Sequence, residues 1–202
     1  MQLILLSPPE AVPAETAVVS ELLAGGLGLF HVRKPAWSRA QVATYLAGIP
    51  ARYHARLVLH AHYSLAAELR LGGIHLPAAS RAGLATLPPL RPGQTLSTAF
   101  HSLNEIRRHR RRYDYVFLSP VFDSLSKTNY PAAFDLSEVA DELAKLRRRP
   151  GYVPQVIALG GIEATRLDAV QRAGFAGAAV LGAVWQSSDP VAAFRKLQSI
   201  VG

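Results

Sequence analysis

Short apolar runs alternate with helix-like stretches from one end of this chain to the other, and this alternation constrains the fold most. The runs predict eight strands, at residues 3–6, 27–33, 57–60, 73–76, 95–98, 115–119, 155–159 and 177–181. They are almost continuously apolar, as in parallel strands that are buried on both faces. Helical stretches between strands are typical of parallel βαβ units. We therefore predict an α/β fold, a (β/α)₈ TIM barrel forming a single domain over residues 1–202, with an open doubly wound sheet as the alternative.

Capping residues mark several of the predicted helices. Ser38 and Gln41 form a capping-box pattern, and Ser102 precedes an arginine-rich helix in the same way. Asp189 followed by Pro190 predicts the start of the last helix. Other helices are expected at about 134–147 and 165–173, whereas residues 78–92 are rich in Ala, Gly and Pro and show no clear helix pattern.

The net charge of +8 does not predict a nucleic-acid-binding protein. Two runs, 107–112 and 147–149, contain eight arginines, and removing them from the 22 lysines and arginines leaves 14, equal to the 14 acidic residues. Each run lies at the predicted carboxyl end of a helix, where cations interact favourably with the helix dipole. No aromatic residues alternate with these arginines to stack on bases. We expect no nucleic-acid partner.

The composition excludes some kinds of site and compartment. The chain has no cysteine, which excludes disulfides, thiolate nucleophiles and zinc–sulfur centres. Its amino terminus lacks the features of a signal peptide, and its longest uncharged apolar stretch, about 173–185, is too short to span a bilayer. We predict a cytoplasmic protein with no membrane partner. A homodimer is left open.

Glycines follow the last two predicted strands, where TIM barrels often bind phosphate. Gly160 and Gly161 follow the seventh strand, and Leu181 and Gly182 follow the eighth. Glycine lets backbone N–H groups approach an anion closely, and a following helix amino terminus adds favourable partial charge. We predict a phosphate site here; ordinary tight turns are the alternative. The loop after the sixth strand adds two hydroxyls and an ammonium that suit a phosphate lid, from Ser124, Ser126 and Lys127.

Histidines and an arginine lie at the ends of the second and third strands. His31 and Arg33 are two residues apart, so their side chains point to the same side of the strand, and the same holds for His60 and His62. An inward arginine needs an anionic partner. We propose His31 and His60 as candidate acid/base residues and Arg33 as an anion ligand, with structural histidines as the alternative. No metal site is predicted, since no carboxylate accompanies the histidines in a ligand-like spacing.

Several segments, in order, resemble the superfamily of thiamine phosphate synthases and TenI-type thiazole tautomerases. The resemblance covers nearly the whole chain and lies in the segments 30–35 (FHVRKP), 73–76 (GIHL), 114–122 (DYVFLSPVF) with Ser124, Ser126 and Lys127, and 158–162 (ALGGI). It implies a (β/α)₈ fold and a site for thiazole phosphate or thiamine phosphate.

The departures from the family pattern concern the chemistry. Where the synthases have aspartates that help to hold Mg²⁺ and pyrophosphate, this chain has Ala61 and Ser80. Where the tautomerase-type enzymes have a histidine after the sixth strand, it has Pro120. The resemblance therefore favours a TenI-like thiazole tautomerase that acts by proton transfer and has no cofactor. The alternatives are a divergent thiamine phosphate synthase, which would need Mg²⁺, and a catalytically silent thiamine-phosphate binder.

Overall fold

Eight strands form a closed barrel in the order β1 to β8, as predicted. The computed structural model describes residues 1–83, 86–123 and 134–202. The strands are β1 (Gln2–Leu6), β2 (Leu29–Val32), β3 (Leu57–Leu59), β4 (Gly73–Leu76), β5 (Thr95–Phe100), β6 (Tyr115–Leu118), β7 (Gln155–Leu159) and β8 (Gly177–Val180). The helices are α1 (Glu15–Ala24), α2 (Arg39–Ala47), α3 (Ser64–Glu68), α4 (Ala78–Gly83), α5 (Leu103–Arg108), α6 (Leu136–Arg147), α7 (Leu167–Arg172), α8 (Gly182–Trp185) and α9 (Pro190–Val201).

Contacts group the chain into two compact units, Ile4–Ser97 and Met1–Leu3 with Thr98–Gly202. In the first unit, β1, β2, β3 and β4 pair in parallel, and Leu5, Phe30 and Leu57 are completely buried. The predicted capping box opens α2, because the Ser38 hydroxyl accepts from the Gln41 N–H while the Gln41 side chain accepts from the Ser38 N–H.

In the second unit, β6 pairs with β7 and β7 with β8, again in parallel. Phe117 and Ile157 lie in its core. The predicted caps are confirmed here as well: the Ser102 hydroxyl accepts from the Glu105 N–H at 3.1 Å, and Asp189 accepts from the third residue of α9.

Both arginine runs lie at carboxyl ends of helices, as predicted. The first run begins in the last turn of α5, which ends at Arg108, and the second begins at Arg147, the last residue of α6. The Arg107 guanidinium pairs with the buried Glu142 carboxylate at 2.7 Å, and Arg147 donates to the Gly174 carbonyl at 3.0 Å. These contacts are intramolecular, which agrees with a structural role for these two arginines.

The helix expected at 165–173 is shorter than predicted. A 3₁₀ turn, Ala164–Arg166, precedes α7, which has only six residues. The short helix α8 was not predicted, because its first residues continue an apolar, glycine-rich run and its N-cap, Leu181, has no capping side chain. Among the residues that the structure describes, no helix combines the length and the apolar content needed to cross a bilayer.

Candidate functional site

Three buried histidines from consecutive strands meet in the first unit. His31 lies on β2, His60 follows β3 and His75 lies on β4; their exposed fractions are 0%, 9% and 3%. His31 Nδ1 lies 2.9 Å from His60 Nε2, a hydrogen-bonding distance. The His60 and His75 rings stack with centroids 4.2 Å apart, and His31 meets the His75 ring edge-on at 5.6 Å. We call His31, His60 and His75 the histidine cluster.

The strand register explains why these side chains meet. His31 on β2 lies opposite Val58 on β3, and the His60 N–H, two residues further on, donates to the carbonyl of Val32, the residue after His31. The two histidines therefore lie on neighbouring parallel segments of the chain. The Tyr63 hydroxyl bonds to the His60 and His75 carbonyls, at 3.1 and 3.3 Å, and so ties the ends of β3 and β4 together. The structure therefore brings the His31 and His60 side chains into contact, and their role in a site stays a prediction.

The third histidine of the cluster is His75 rather than His62, which the sequence analysis grouped with His31 and His60. His62 has a backbone φ of +53°, and its Nε2 bonds to the Trp37 carbonyl at 2.8 Å. The left-handed turn after His60 breaks the strand alternation, so the same-side rule does not apply to His62. His75 is identifiable in the sequence only as a polar residue inside an apolar strand.

Ser97 holds the ring of His75 in place. The Ser97 hydroxyl lies 2.9 Å from His75 Nδ1 and donates its own hydrogen to the Ile74 carbonyl at 3.4 Å. A hydroxyl can both donate and accept, so it can accept from His75 Nδ1–H while it donates to the Ile74 carbonyl.

Burial lowers the pKa of every histidine in the cluster. Desolvation is the largest cause for all three, because a buried imidazolium loses its hydration. It lowers the pKa of His75 to about 3, with the Arg33 charge as the second cause. The His75 charge further lowers the pKa of His31 and of His60. All three imidazoles are therefore neutral at pH 7.

Arg33 lies beside the histidine cluster, as the same-side argument predicted. Ser7 holds its backbone: the Arg33 N–H donates to the Ser7 hydroxyl at 2.7 Å, and this hydroxyl donates to the Arg33 carbonyl. Among the described residues, no carboxylate forms an ion pair with the Arg33 guanidinium. A half-buried arginine next to neutral imidazoles is suited to an anionic ligand.

Lys34, the next residue, is occupied in a buried network. Its ammonium lies 2.6 Å from the Glu15 carboxylate and donates to the Glu10 carbonyl at 2.8 Å, with the Trp37 ring centroid 4.8 Å away. The Tyr45 hydroxyl donates to the same carboxylate at 2.8 Å. Lys34 therefore has a structural environment, and Arg33 is the cation of this segment that faces the cluster.

The glycines after β7, in the second unit, adopt conformations that other residues rarely adopt. Gly160 has φ of +100° and Gly161 has φ of +62°. A Cβ on Gly161 would lie 2.2 Å from the Asp123 carbonyl oxygen, and one on Gly160 would lie 2.8 Å from Pro120 Cα. Glycine is therefore required at both positions. A Gly161→Asp substitution would displace the loop itself and cannot test ligand contact alone.

Arg166 holds this glycine loop, and the sequence analysis missed it. Its guanidinium donates to the Gly161 carbonyl at 2.8 Å and to the Asp123 carbonyl at 3.4 Å, and it pairs with Glu163. The Gly161 carbonyl belongs to the peptide that carries the Ile162 N–H, so Arg166 orients that peptide. The Phe122 N–H orients the preceding peptide, which carries the Gly161 N–H, by donating to the Gly160 carbonyl at 3.1 Å. The position of Arg166, five residues after the second glycine of a Gly-Gly pair, was the available signal.

Leu181 and Gly182 follow β8. The Leu181 carbonyl accepts from the N–H groups of Val184 and Trp185 and so starts α8. Within the part of the chain that the structure describes, the N–H groups of Gly161 and Gly182 donate to no acceptor. A helix of four residues adds little dipole, so backbone donors rather than a helix terminus make this a candidate anion site. Ser124, Ser126 and Lys127 lie outside the described residues.

The sequence of this chain matches a known protein family. The family model for thiamine monophosphate synthase matches residues 3–184. The chain belongs to this family. It is 24% identical over 192 residues to the thiamine-phosphate synthase of Listeria monocytogenes, covering 91% of this chain and 87% of that protein.

Solved structures show the same similarity. The thiamine phosphate pyrophosphorylase of Bacteroides thetaiotaomicron has a TM-score of 0.82 and 30% identity, with 100% of this chain and 98% of the other covered. The corresponding protein from Pyrococcus furiosus has a TM-score of 0.75 at 21% identity, covering 99% and 95% of the two chains, which shows the shared fold.

The Mg²⁺ ligands that the resemblance implies for synthases in this family do not fit this chain. Ala61 has no side-chain oxygen, and the hydroxyl of Ser80 bonds to the Tyr63 hydroxyl. Mg²⁺ prefers carboxylate and phosphate oxygens in near-octahedral geometry, which neither side chain supplies. The imidazole nitrogens of the histidine cluster are donors for softer ions such as Zn²⁺.

Proposed function

We propose that this thiamine monophosphate synthase family member is a TenI-like thiazole tautomerase that binds a thiazole phosphate and acts by proton transfer. The observation that carries the proposal is the His31–His60 hydrogen bond, in a site where Ala61 and Ser80 replace the carboxylates that a Mg²⁺-dependent reaction would use. Thiamine phosphate is a further ligand of the same chemical class.

The glycine loop is the proposed phosphate site. The Gly161 and Gly182 N–H groups lack a described acceptor, and backbone amides of this kind bind phosphate oxygens closely where no Cβ intervenes. The Phe122 N–H donates to the Gly160 carbonyl and so orients the peptide that carries the Gly161 N–H, while Arg166 holds the next peptide through the Gly161 carbonyl. Leu181, Gly160, Ser124, Ser126 and Lys127 remain proposed members of this site.

Proton transfer is assigned to the His31–His60 pair. Aromatising a thiazole tautomer requires removing a proton from one carbon and delivering a proton elsewhere. A neutral imidazole carries one donor and one acceptor nitrogen, so a hydrogen-bonded pair can accept a proton at one ring and release one at the other. His60 is the more exposed member and is the better candidate to meet the substrate, with the completely buried His31 as its partner. Arg33 is proposed to bind an anionic group of the substrate beside them.

A divergent thiamine phosphate synthase is the second candidate, because the relatives that this chain resembles carry that name. This activity would leave Mg²⁺ to be held mainly by the pyrophosphate of the substrate. We expect weak or absent synthase activity. The double substitution Ala61→Asp and Ser80→Asp introduces both missing carboxylates, and a gain of synthase activity in this variant would test the second candidate.

The test is turnover of the non-aromatic tautomer of thiazole carboxylate phosphate, followed by NMR in the presence of EDTA. His60→Asn and His31→Asn should each reduce turnover by at least about 100-fold, the low end for a general base, while calorimetry shows that the phosphate ligand still binds. His62→Asn is the matched control, since His62 is a nearby histidine bonded to a backbone carbonyl outside the cluster. Normal turnover in both cluster variants would refute histidine catalysis. Phosphate binding without any wild-type turnover would support a silent binder.

A further inference from the structure

The histidine cluster has the donor set of a transition-metal site. One ring nitrogen from each of His31, His60 and His75 can be chosen so that all three lie within 4.8 Å of one another. We propose that these three histidines bind a single borderline divalent ion, with Zn²⁺ as the representative. This inference goes beyond the proposed function, which uses no metal.

The geometry is close to what Zn²⁺ requires. Zn–N bonds of about 2.0–2.1 Å in a tetrahedral site place the ligand nitrogens about 3.3 Å apart. His31 Nδ1 and His60 Nε2 are 2.9 Å apart, so these two need only separate slightly to admit the ion. The largest separation in the cluster is at most 4.8 Å, so the third nitrogen has to approach by no more than about 1.5 Å to reach the tetrahedral spacing.

Ser97 supports ligation by His75. Metal-binding histidines almost always donate their other ring N–H to a second group, which fixes the tautomer and the ring orientation. Ser97 is suited to this role, because its hydroxyl lies 2.9 Å from His75 Nδ1 and can accept a hydrogen bond from that nitrogen when Nε2 faces the ion. The Ser97 side chain is itself completely buried.

The surroundings select the kind of ion and its remaining ligand. Among the described residues, no carboxylate joins the cluster, so the three imidazoles favour Zn²⁺ over the hard ions Mg²⁺ and Ca²⁺. Three protein ligands leave a fourth position open. The positive charge of Arg33 nearby opposes a bare cation and favours an anion in that position.

Metal occupancy and the His31–His60 hydrogen bond exclude one another, because the ion requires the lone pair of both facing nitrogens. If the proposed function holds, Zn²⁺ therefore inhibits turnover. The binding test uses no thiazole compound, and its outcome is independent of the catalytic proposal.

The experiment titrates the EDTA-treated, dialysed full chain with Zn²⁺ by calorimetry, and with Co²⁺ by its visible absorption. We expect one ion per chain and a rise in Tm on addition of Zn²⁺. His75→Gln and His60→Gln should each weaken binding by at least about 100-fold, and Ser97→Ala by about 10- to 100-fold. Circular dichroism establishes that each variant is folded.

His62→Asn and His54→Asn are the controls and should bind Zn²⁺ like the wild type, since both residues bond to backbone carbonyls elsewhere. The proposal is overturned if the wild type binds no Zn²⁺ at micromolar concentration. It is also overturned if the control variants lose as much affinity as the folded His60→Gln variant.

Discussion

Lys34→Met is the substitution whose cost follows most directly from the structure. The Lys34 ammonium and the Glu15 carboxylate are 2.6 Å apart, and their side chains are 0% and 3% exposed. Methionine keeps the apolar stem but leaves the carboxylate buried without its cation. Removing one member of a buried ion pair costs about 3–5 kcal/mol. Because domains of this size have about 5–15 kcal/mol of total stability, the variant should lose a large share of it.

The assay is urea unfolding followed by far-ultraviolet circular dichroism, which avoids the change in fluorescence expected from Trp37 beside the substitution. Lys34→Met combined with Glu15→Gln removes both charges, and its free energy of unfolding should exceed that of Lys34→Met alone by at least about 2 kcal/mol. The Tyr45 hydroxyl can still donate to the new amide oxygen. This recovery would show that the isolated charge, rather than lost packing, causes the instability.

An exposed ion pair in the same unit provides the matched control. Arg39 and Glu68 are 2.5 Å apart, but their side chains are 52% and 49% exposed. Water screens such a pair, so Arg39→Met should cost no more than about 1 kcal/mol. The reasoning is refuted if Lys34→Met costs no more than Arg39→Met.

Three further outcomes are expected in the second unit. Arg166→Gln should weaken binding of a thiazole phosphate about 10-fold by calorimetry, because the Gly161 and Asp123 carbonyls of the glycine loop lose the cation that holds them. It should leave the weak binding of the unphosphorylated thiazole unchanged, and equal losses for both ligands would contradict this. Gly160→Ala should cost about 1–3 kcal/mol in urea unfolding, since φ is +100° and the new Cβ meets backbone; an unchanged midpoint would contradict it. The Arg107 hydrogen bond lowers the pKa of Glu142, so the pair stabilises the fold above the unfolded pKa of about 4.3, and this contribution disappears as pH falls through the lower folded pKa. Arg107→Gln should therefore lower Tm at pH 7 and have little effect near the acid limit of folding, and a pH-independent difference would contradict this.

The barrel could be predicted because each strand is marked twice, by an apolar run and by a turn or cap that ends it. The ends of β4 and β7 were predicted to the residue. The helices after β7 and β8 were harder, because tertiary contacts decide their start: Arg166 bonds back to the Gly161 carbonyl and the first turn there is 3₁₀. The spacing of Arg166 from the Gly-Gly pair is a local signal for this contact, but it does not determine where the helix starts.

The histidine cluster shows where sequence reasoning about a site ends. The period of two residues along a strand correctly paired His31 with Arg33, because β2 continues regularly to Val32. It failed for His62, since β3 ends at Leu59 and the chain then turns through a positive φ. His75 joins the cluster through the alignment of β4 with β3, which depends on long-range pairing.

Turnover by the purified wild-type chain tests the proposed function most directly. The tautomer of thiazole carboxylate phosphate is supplied first alone with EDTA, and then with the pyrimidine pyrophosphate and Mg²⁺. The account predicts conversion to the aromatic thiazole in the first case, and no appreciable thiamine phosphate formation in the second. Robust Mg²⁺-dependent formation of thiamine phosphate, without conversion in EDTA, would contradict it.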